Sequence, residues 1–289
     1  MILIPMPDHV SFRWQMLTQI TAMEELGLLP NCRWLVYVQN EPSRQLSDII
    51  DTGVAKIEVW QDWPRDTRYN GAMKPWLIGK YLSKNPRWVF CEYEVVDPDV
   101  LLLSKDRITP GNSAVFGTNT DSYTGVKYLK SKDVWEDLCD IVEVDPEYAS
   151  HFSGIGAQLI WTGLPGSWWE DVARRSITAF NYMTEHESDV QAWCAEMYVT
   201  HLSLIRDGRL PTIHPEMEMV WANGGRGALD KARYYHNAGV TEVNSEHFCK
   251  LGYKDSQPFH DEIQVSPESA SSLYVDYIRK AAVRFADIV

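Results

Sequence analysis

The feature that most constrains this chain is a repeated change of period over its first third. Short apolar runs that read as strands, "ILIPM" (2–6), "RWLVYVQ" (33–39), "VAKIEVW" (54–60) and "RWVFC" (87–91), alternate with stretches that read as helices. From Ser11 to Leu28, Phe12, Met16, Leu17, Ile20, Met23 and Leu26 recur at the helical spacing of three or four. A short polar helix is expected near 43–52, and another is opened by Pro75 in "MKPWLIGKYL". A β-α-β-α-β-α-β order predicts a parallel, doubly wound sheet, with its ligand crevice at the carboxyl ends of the strands. At 289 residues and 45% hydrophobic content the chain can bury a large core.

Beyond residue 100 the pattern is less regular. "AVFGTN" (114–119) and "AQLIWTG" (157–163) read as strands, and 131–142, 166–185 and 187–206 as helices. No Pro-, Gly- or Ser-rich linker and no internal repeat separates the halves, which favours one continuous α/β domain over 1–289 with a helical C-terminal addition. There is no GxGxxG after the first strand and no GxxxxGK[ST] anywhere, so the usual dinucleotide and P-loop classes lose ground.

The formal net charge of −13 argues against a protein that binds nucleic acid through a broad phosphate-neutralising surface, while leaving room for a local basic groove. Lys105, Arg107, Lys127, Lys130 and Lys132 form one cationic group along the chain, and Lys231, Arg233, Lys250 and Lys254 another. Solvated faces balanced by acidic neighbours are the alternative. Five scattered cysteines without a CxxC suggest neither a disulfide framework nor a zinc site and fit a reducing cytoplasm. No leader-like N-terminus and no run of roughly 20 apolar residues is found, so no membrane partner is expected.

Five short stretches could carry chemistry. Glu92 and Glu94 fall on one side of an extended chain with Tyr93 opposite, an arrangement that can hold one hard divalent cation such as Mn²⁺ or Mg²⁺; a solvated turn is the alternative. In "YYHNAGV" (234–240) an aromatic run ends in a turn that aims His236 at a site, as a metal ligand or a structural histidine. Glu196 lies among apolar residues in "AWCAEMYV" (192–199), either as a desolvated base or paired with an arginine such as Arg206 or Arg174. "FSGIGAQLIW" (152–161) offers close backbone approach and the amide of Gln158, or a simple tight turn. In "RYNGAMKPW", Arg68 and Lys74 could meet phosphate or remain surface cations.

The order of these stretches resembles a family of glycosyltransferases with the GT-A nucleotide-sugar fold, common in phage and environmental bacteria and similar to the predicted glycosyltransferases encoded beside TET-type dioxygenases. The resemblance spans roughly residues 65–260. It rests on Glu92-Tyr93-Glu94 in the place of Asp-x-Asp, on residues 116–142, on "SGIGAQ" (153–158) for S-G-G-A-Q, on "WCAEM" (193–197) for W-C-A-D-M, on "HNAGV" (236–240), and on Phe248, Lys250, Pro258 and Phe259.

That resemblance implies a GT-A-like, Rossmann-like fold with a mostly parallel central sheet. Residues 1–100 would form the nucleotide-sugar half and 101–289 the acceptor half. Glu92, Glu94 and His236 would hold Mn²⁺ or Mg²⁺; Arg68, Lys74 and Tyr93, with the two glutamates, would bind the nucleotide; Gly156, Gln158, Trp193, Asn237 and Lys250 would contact sugar or acceptor; and Glu196 would be the catalytic base. The implied donor is UDP-glucose. The implied acceptor is the 5-hydroxymethyl group of a pyrimidine, such as 5-hydroxymethylcytosine, in double-stranded phage DNA within the host cytoplasm. A glycan, lipid-linked sugar or protein acceptor is the alternative, and glutamate at three positions where the family has aspartate motivates a further one, an inactive sugar-nucleotide-binding module. A metal-dependent nuclease or phosphatase would need a larger carboxylate and histidine cluster.

Overall fold

A computed structural model describes residues 1–63, 68–106, 108, 115–186 and 189–289. Along the chain run β1 (Ile2–Pro7), α1 (Val10–Glu25), β2 (Cys32–Tyr37), α2 (Arg44–Asp51), β3 (Ile57–Trp60), α3 (Met73–Lys84), β4 (Tyr93–Val95), β5 (Val100–Leu102), β6 (Val115–Asn119), α4 (Asp121–Thr124), α5 (Val126–Ser131), α6 (Trp135–Val142), α7 (Pro146–Ala149), β7 (Ile155–Trp161), α8 (Gly166–Glu185), α9 (Ala195–Arg206), β8 (Thr212–Ile213), β9 (Met219–Trp221), β10 (Tyr234–His236) and α10 (Ser271–Arg284). The larger sheet has the strand order β3-β2-β1-β4-β7-β6-β8. Its β1–β4, β2–β3 and β6–β8 pairs are parallel, and β7 runs antiparallel to both β4 and β6, so the expected α/β class with a mostly parallel sheet is observed.

The chain forms two compact units. The first comprises Met1–Pro5, Asp62–Val96 and Thr109–Met217, and the second Met6–Gln61, Asp97–Ile108 and Glu218–Val289. In the first, α3 packs on α8 and α8 on α9, with a cluster of indoles in the core. Trp161 and Trp169 meet edge to face at 4.6 Å, and the Trp169 indole donates to the Tyr93 hydroxyl at 2.8 Å. In the second, α1 packs against α10, and a small sheet of order β5-β10-β9 pairs β10 antiparallel with β5 and parallel with β9. Trp14 there sits edge-on to Phe248, Tyr253 and Tyr274. Much of the aromatic content is thus core.

Two local readings change. Residues 86–90 form a short 3₁₀ segment, Pro86–Phe90, where a strand "RWVFC" is expected. Pro86 fixes φ at its start, Trp88 N–H donates to the Asn85 carbonyl and Cys91 N–H to that of Trp88, and Phe90 is left 88% exposed. The strand therefore begins at Tyr93, pairing Glu94 with Ile2 and Val95 with Leu3, and Glu92 and Glu94 stand at its start instead of its end. The second change concerns α1, which is buried without interruption from Trp14 to Met23, including Gln15, Thr18, Gln19 and Thr21. It is an interior helix, not an amphipathic surface one.

Candidate functional site

Beyond the carboxyl end of β4 the chain runs Asp97-Pro98-Asp99-Val100. Val100 N–H donates to the Asp97 carbonyl at 3.1 Å, closing a four-residue turn with proline in its second position, where a fixed φ near −65° suits it. Asp97 and Asp99 occupy the first and third positions. The Asp99 carbonyl accepts from Asn237 N–H at 3.0 Å, which ties the turn to the residue after β10.

Asp97, Asp99 and His236 each bring a ligating atom to within 4.8 Å of the others, the only group of its kind among the described residues. All three belong to the second unit. His236 Nε2 lies 3.3 Å from Asp99 Oδ1, and its Nδ1 lies 3.3 Å from the Met219 sulfur. Parallel pairing sets His236 beside Trp221, and the rings stack at 5.4 Å and 18°. Two carboxylates and one imidazole are a donor set suited to Mn²⁺ or Mg²⁺, so the residues present fit a divalent ion.

Lys250 adds a positive charge, its ammonium bonded to Asp99 Oδ2. Asp99 is 3% exposed, and burial alone would raise its pKa. The Lys250 ammonium and His236 outweigh that and hold it well below the usual carboxylate range. Burial likewise depresses Lys250, but Asp99 beside it leaves its pKa raised overall. Asn237 is 2% exposed; its Oδ1 accepts from the Tyr235 hydroxyl at 3.0 Å, and its Nδ2 finds no hydrogen-bond partner among the described residues.

Of the expected metal set, His236 lies in this group, whereas Glu92 and Glu94 do not; the other two members are the aspartates of the following turn. Tyr93, expected at the nucleotide, is fully buried with its hydroxyl held by Trp169. Asp-Pro-Asp after an apolar pair is itself a legible turn signal, masked when the strand is read several residues too early.

The first unit holds a second constellation. Lys74 Nζ lies 3.4 Å from Glu196 Oε1, both side chains about 15% exposed, so Glu196 pairs with a lysine, where an arginine such as Arg206 or Arg174 is the alternative to a desolvated base. Those arginines pair with Asp171, and Arg206 also with Asp207. The Tyr69 hydroxyl donates to the Trp193 carbonyl at 2.8 Å and accepts from Glu196 N–H at 2.9 Å, with its ring stacked on Phe180 at 4.6 Å. This leaves the Trp193 side chain in solvent, 65% exposed, and Arg68 is exposed as well.

Gln158 is fully buried; its Oε1 accepts from the Thr118 hydroxyl at 3.2 Å, and its Nε2 is unpartnered among the described residues. A Cβ at Gly156 would meet the Met197 methyl, the flexible end of a side chain on α9. Lys132 pairs with Asp189 at 2.5 Å, Arg233 donates to the Tyr234 hydroxyl, Lys250 is committed to Asp99, and Arg107 lies outside the described residues.

No protein-family model and no curated protein matches the chain. Among solved structures, it is similar to the glycosyltransferase GlyE of Streptococcus pneumoniae TIGR4, at 10% identity over 99% of this chain and 62% of that one, with a TM-score of 0.51. The fold is that of the GT-A glycosyltransferases. The galactosyltransferase LgtC, solved with donor and acceptor sugar analogues, aligns at 10% identity over 96% of this chain and 95% of that one, with a TM-score of 0.49. An active-site mutant of LgtC gives 9% identity and 0.48. Among the described residues, no helix of this GT-A chain is long and apolar enough to cross a membrane.

Proposed function

We propose that the protein is a divalent-metal-dependent glycosyltransferase that moves a sugar from a nucleotide diphosphate sugar to a hydroxyl. One observation carries this reading: two aspartates on the turn that follows β4, grouped with the histidine that ends β10 into a set suited to a hard cation, in a glycosyltransferase fold. Asp97, Asp99 and His236 would hold the ion, which when bound supplies the positive charge that stabilises a departing diphosphate. Lys250 is assigned the second positive charge on that diphosphate, since its ammonium already sits on Asp99. In the first unit, Glu196 is assigned the proton of the acceptor hydroxyl if the reaction inverts, with Lys74 holding its carboxylate in place.

For the donor we assign UDP-glucose, and for the acceptor the resemblance supports the 5-hydroxymethyl group of a pyrimidine in DNA, with a glycan as the rival that the charge of −13 supports. With Asp97 and Asp99 as the ligand pair, the inactive-module reading keeps only Glu196 of its three departures as a motive. The test is to incubate the protein with Mn²⁺ and UDP-glucose, separately with duplex DNA containing 5-hydroxymethylcytosine and with an oligosaccharide panel, and weigh the products by mass spectrometry. A hexose added to the nucleoside establishes the DNA acceptor; a hexose added only to a glycan replaces it. Donor left intact under every condition, with no binding of UDP and Mn²⁺, refutes the glycosyltransferase reading.

A further inference from the structure

We propose that Gln19 is a positioning residue for the candidate metal centre, a role that acts through backbone and that no motif marks. Gln19 lies on α1 and is fully buried. Its Oε1 accepts from the Trp34 indole N–H at 3.0 Å, and its Nε2 donates to the carbonyls of Asp97 at 3.0 Å and Val100 at 2.8 Å. An indole can only donate, so Oε1 must face Trp34 and both Nε2 hydrogens must face the turn. The amide therefore has one orientation, and every hydrogen bond it can donate goes to the first and last carbonyls of Asp97-Pro98-Asp99-Val100.

Those two carbonyls bracket both aspartate ligands. The Asp97 carbonyl also accepts from Val100 N–H, and the Asp99 carbonyl from Asn237 N–H, so the backbone of the turn is held at its first, third and last residues. Pro98 limits the turn locally, but proline alone does not fix where it sits; the clamp from α1 does that. Metal ligands held to a few tenths of an ångström by such outer contacts typically lose tenfold to a hundredfold in metal affinity when the contact is removed. The inference rests on the reading of Asp97, Asp99 and His236 as metal ligands.

The experiment measures Mn²⁺ binding to the full chain by calorimetry for wild type, Gln19→Leu and Trp34→Phe, with circular dichroism to verify the fold. Leucine removes all three bonds, and Mn²⁺ affinity is expected to fall by about tenfold to a hundredfold in a protein that still melts cooperatively. Trp34→Phe keeps the two bonds to the turn but frees the amide to rotate, and a smaller fall, of about three- to tenfold, is expected. If Gln19→Leu does not fold, Trp34→Phe decides, and unchanged affinity there overturns the proposal. Folded Gln19→Leu that binds Mn²⁺ as wild type does overturns the proposal alone. Wild type that binds no Mn²⁺ overturns the metal-site reading and this inference with it.

Discussion

His201 offers a sharp test of the energetics of the first unit, because its sign is counterintuitive. The imidazole is 2% exposed on α9, and neither ring nitrogen finds a hydrogen-bond partner among the described residues. Burial pushes its pKa from 6.5 down to about 4, partly offset by the charge of Asp121. The folded pKa is below the unfolded one, so the unfolded chain binds a proton first as pH falls. Stability is fully present above about 6.5 and is lost from there down to about 4, at roughly 1.4 kcal/mol per pH unit. At pH 5 the loss is about 2 kcal/mol, and below pH 4 it levels off near 3 kcal/mol.

Leucine at this position removes the titration and also a polar ring whose N–H is unmade, a burden of about 1–3 kcal/mol in a buried site. His201→Leu is therefore expected to exceed wild type by about 1–3 kcal/mol at pH 8, and by about 2 kcal/mol more than that at pH 5. Urea unfolding of both proteins at half-unit steps from pH 8 to 4.5 measures this, and taking the difference between them cancels every other titrating group. A difference that stays constant to within about 0.5 kcal/mol across the range would show that His201 is not a neutral, desolvated imidazole in the native state.

Asp99→Asn is expected to lower Mn²⁺ affinity by on the order of a hundredfold or more and to abolish sugar transfer, while Glu94→Gln leaves Mn²⁺ affinity within about twofold; calorimetry on the two variants separates the turn from the strand start as the metal site. Glu196→Gln is expected to slow transfer by about 10²–10⁴-fold with UDP binding unchanged, read from initial rates and from UDP titration; equal rates would remove Glu196 from the chemistry. Tyr69→Phe strands the Trp193 carbonyl and the Glu196 N–H at a cost of about 1–3 kcal/mol, which should lower the thermal midpoint by roughly 5 °C.

The parts of the fold that could be read from sequence are those where a local pattern carries the information. Helix α8 spans Gly166–Glu185, as expected for 166–185, and α2 follows Ser43, whose hydroxyl accepts from Leu46 N–H at 3.2 Å as a helix cap. His236 is legible because an aromatic run and a turn mark a strand end. By contrast, "RWVFC" satisfies every local requirement of a buried strand, and only packing shows that Phe90 points into water and that Pro86 opens a 3₁₀ turn. That single boundary displaces the candidate metal pair from Asp97 and Asp99 to Glu92 and Glu94. The Lys74–Glu196 pair joins residues far apart in the chain, and no periodicity links them.

Gln19 shows why one class of residue stays hidden. On sequence, Gln15, Thr18 and Gln19 are what the polar face of an amphipathic helix should carry, and the apolar set from Phe12 to Leu26 completes that picture. Burial reverses it. In a helix enclosed from Trp14 to Met23, each polar side chain must find a partner or cost about 1–3 kcal/mol, and the available partners decide what it does. The hydroxyls of Thr18 and Thr21 turn back to the Trp14 and Leu17 carbonyls on their own helix, at 2.8 and 2.9 Å. Gln19 is long enough to reach beyond it, and what it reaches is the turn that carries both aspartates. Which residue of α1 bonds the turn that carries the candidate ligands is thus set by which helix face meets that turn, a fact of tertiary packing that neither composition nor spacing encodes.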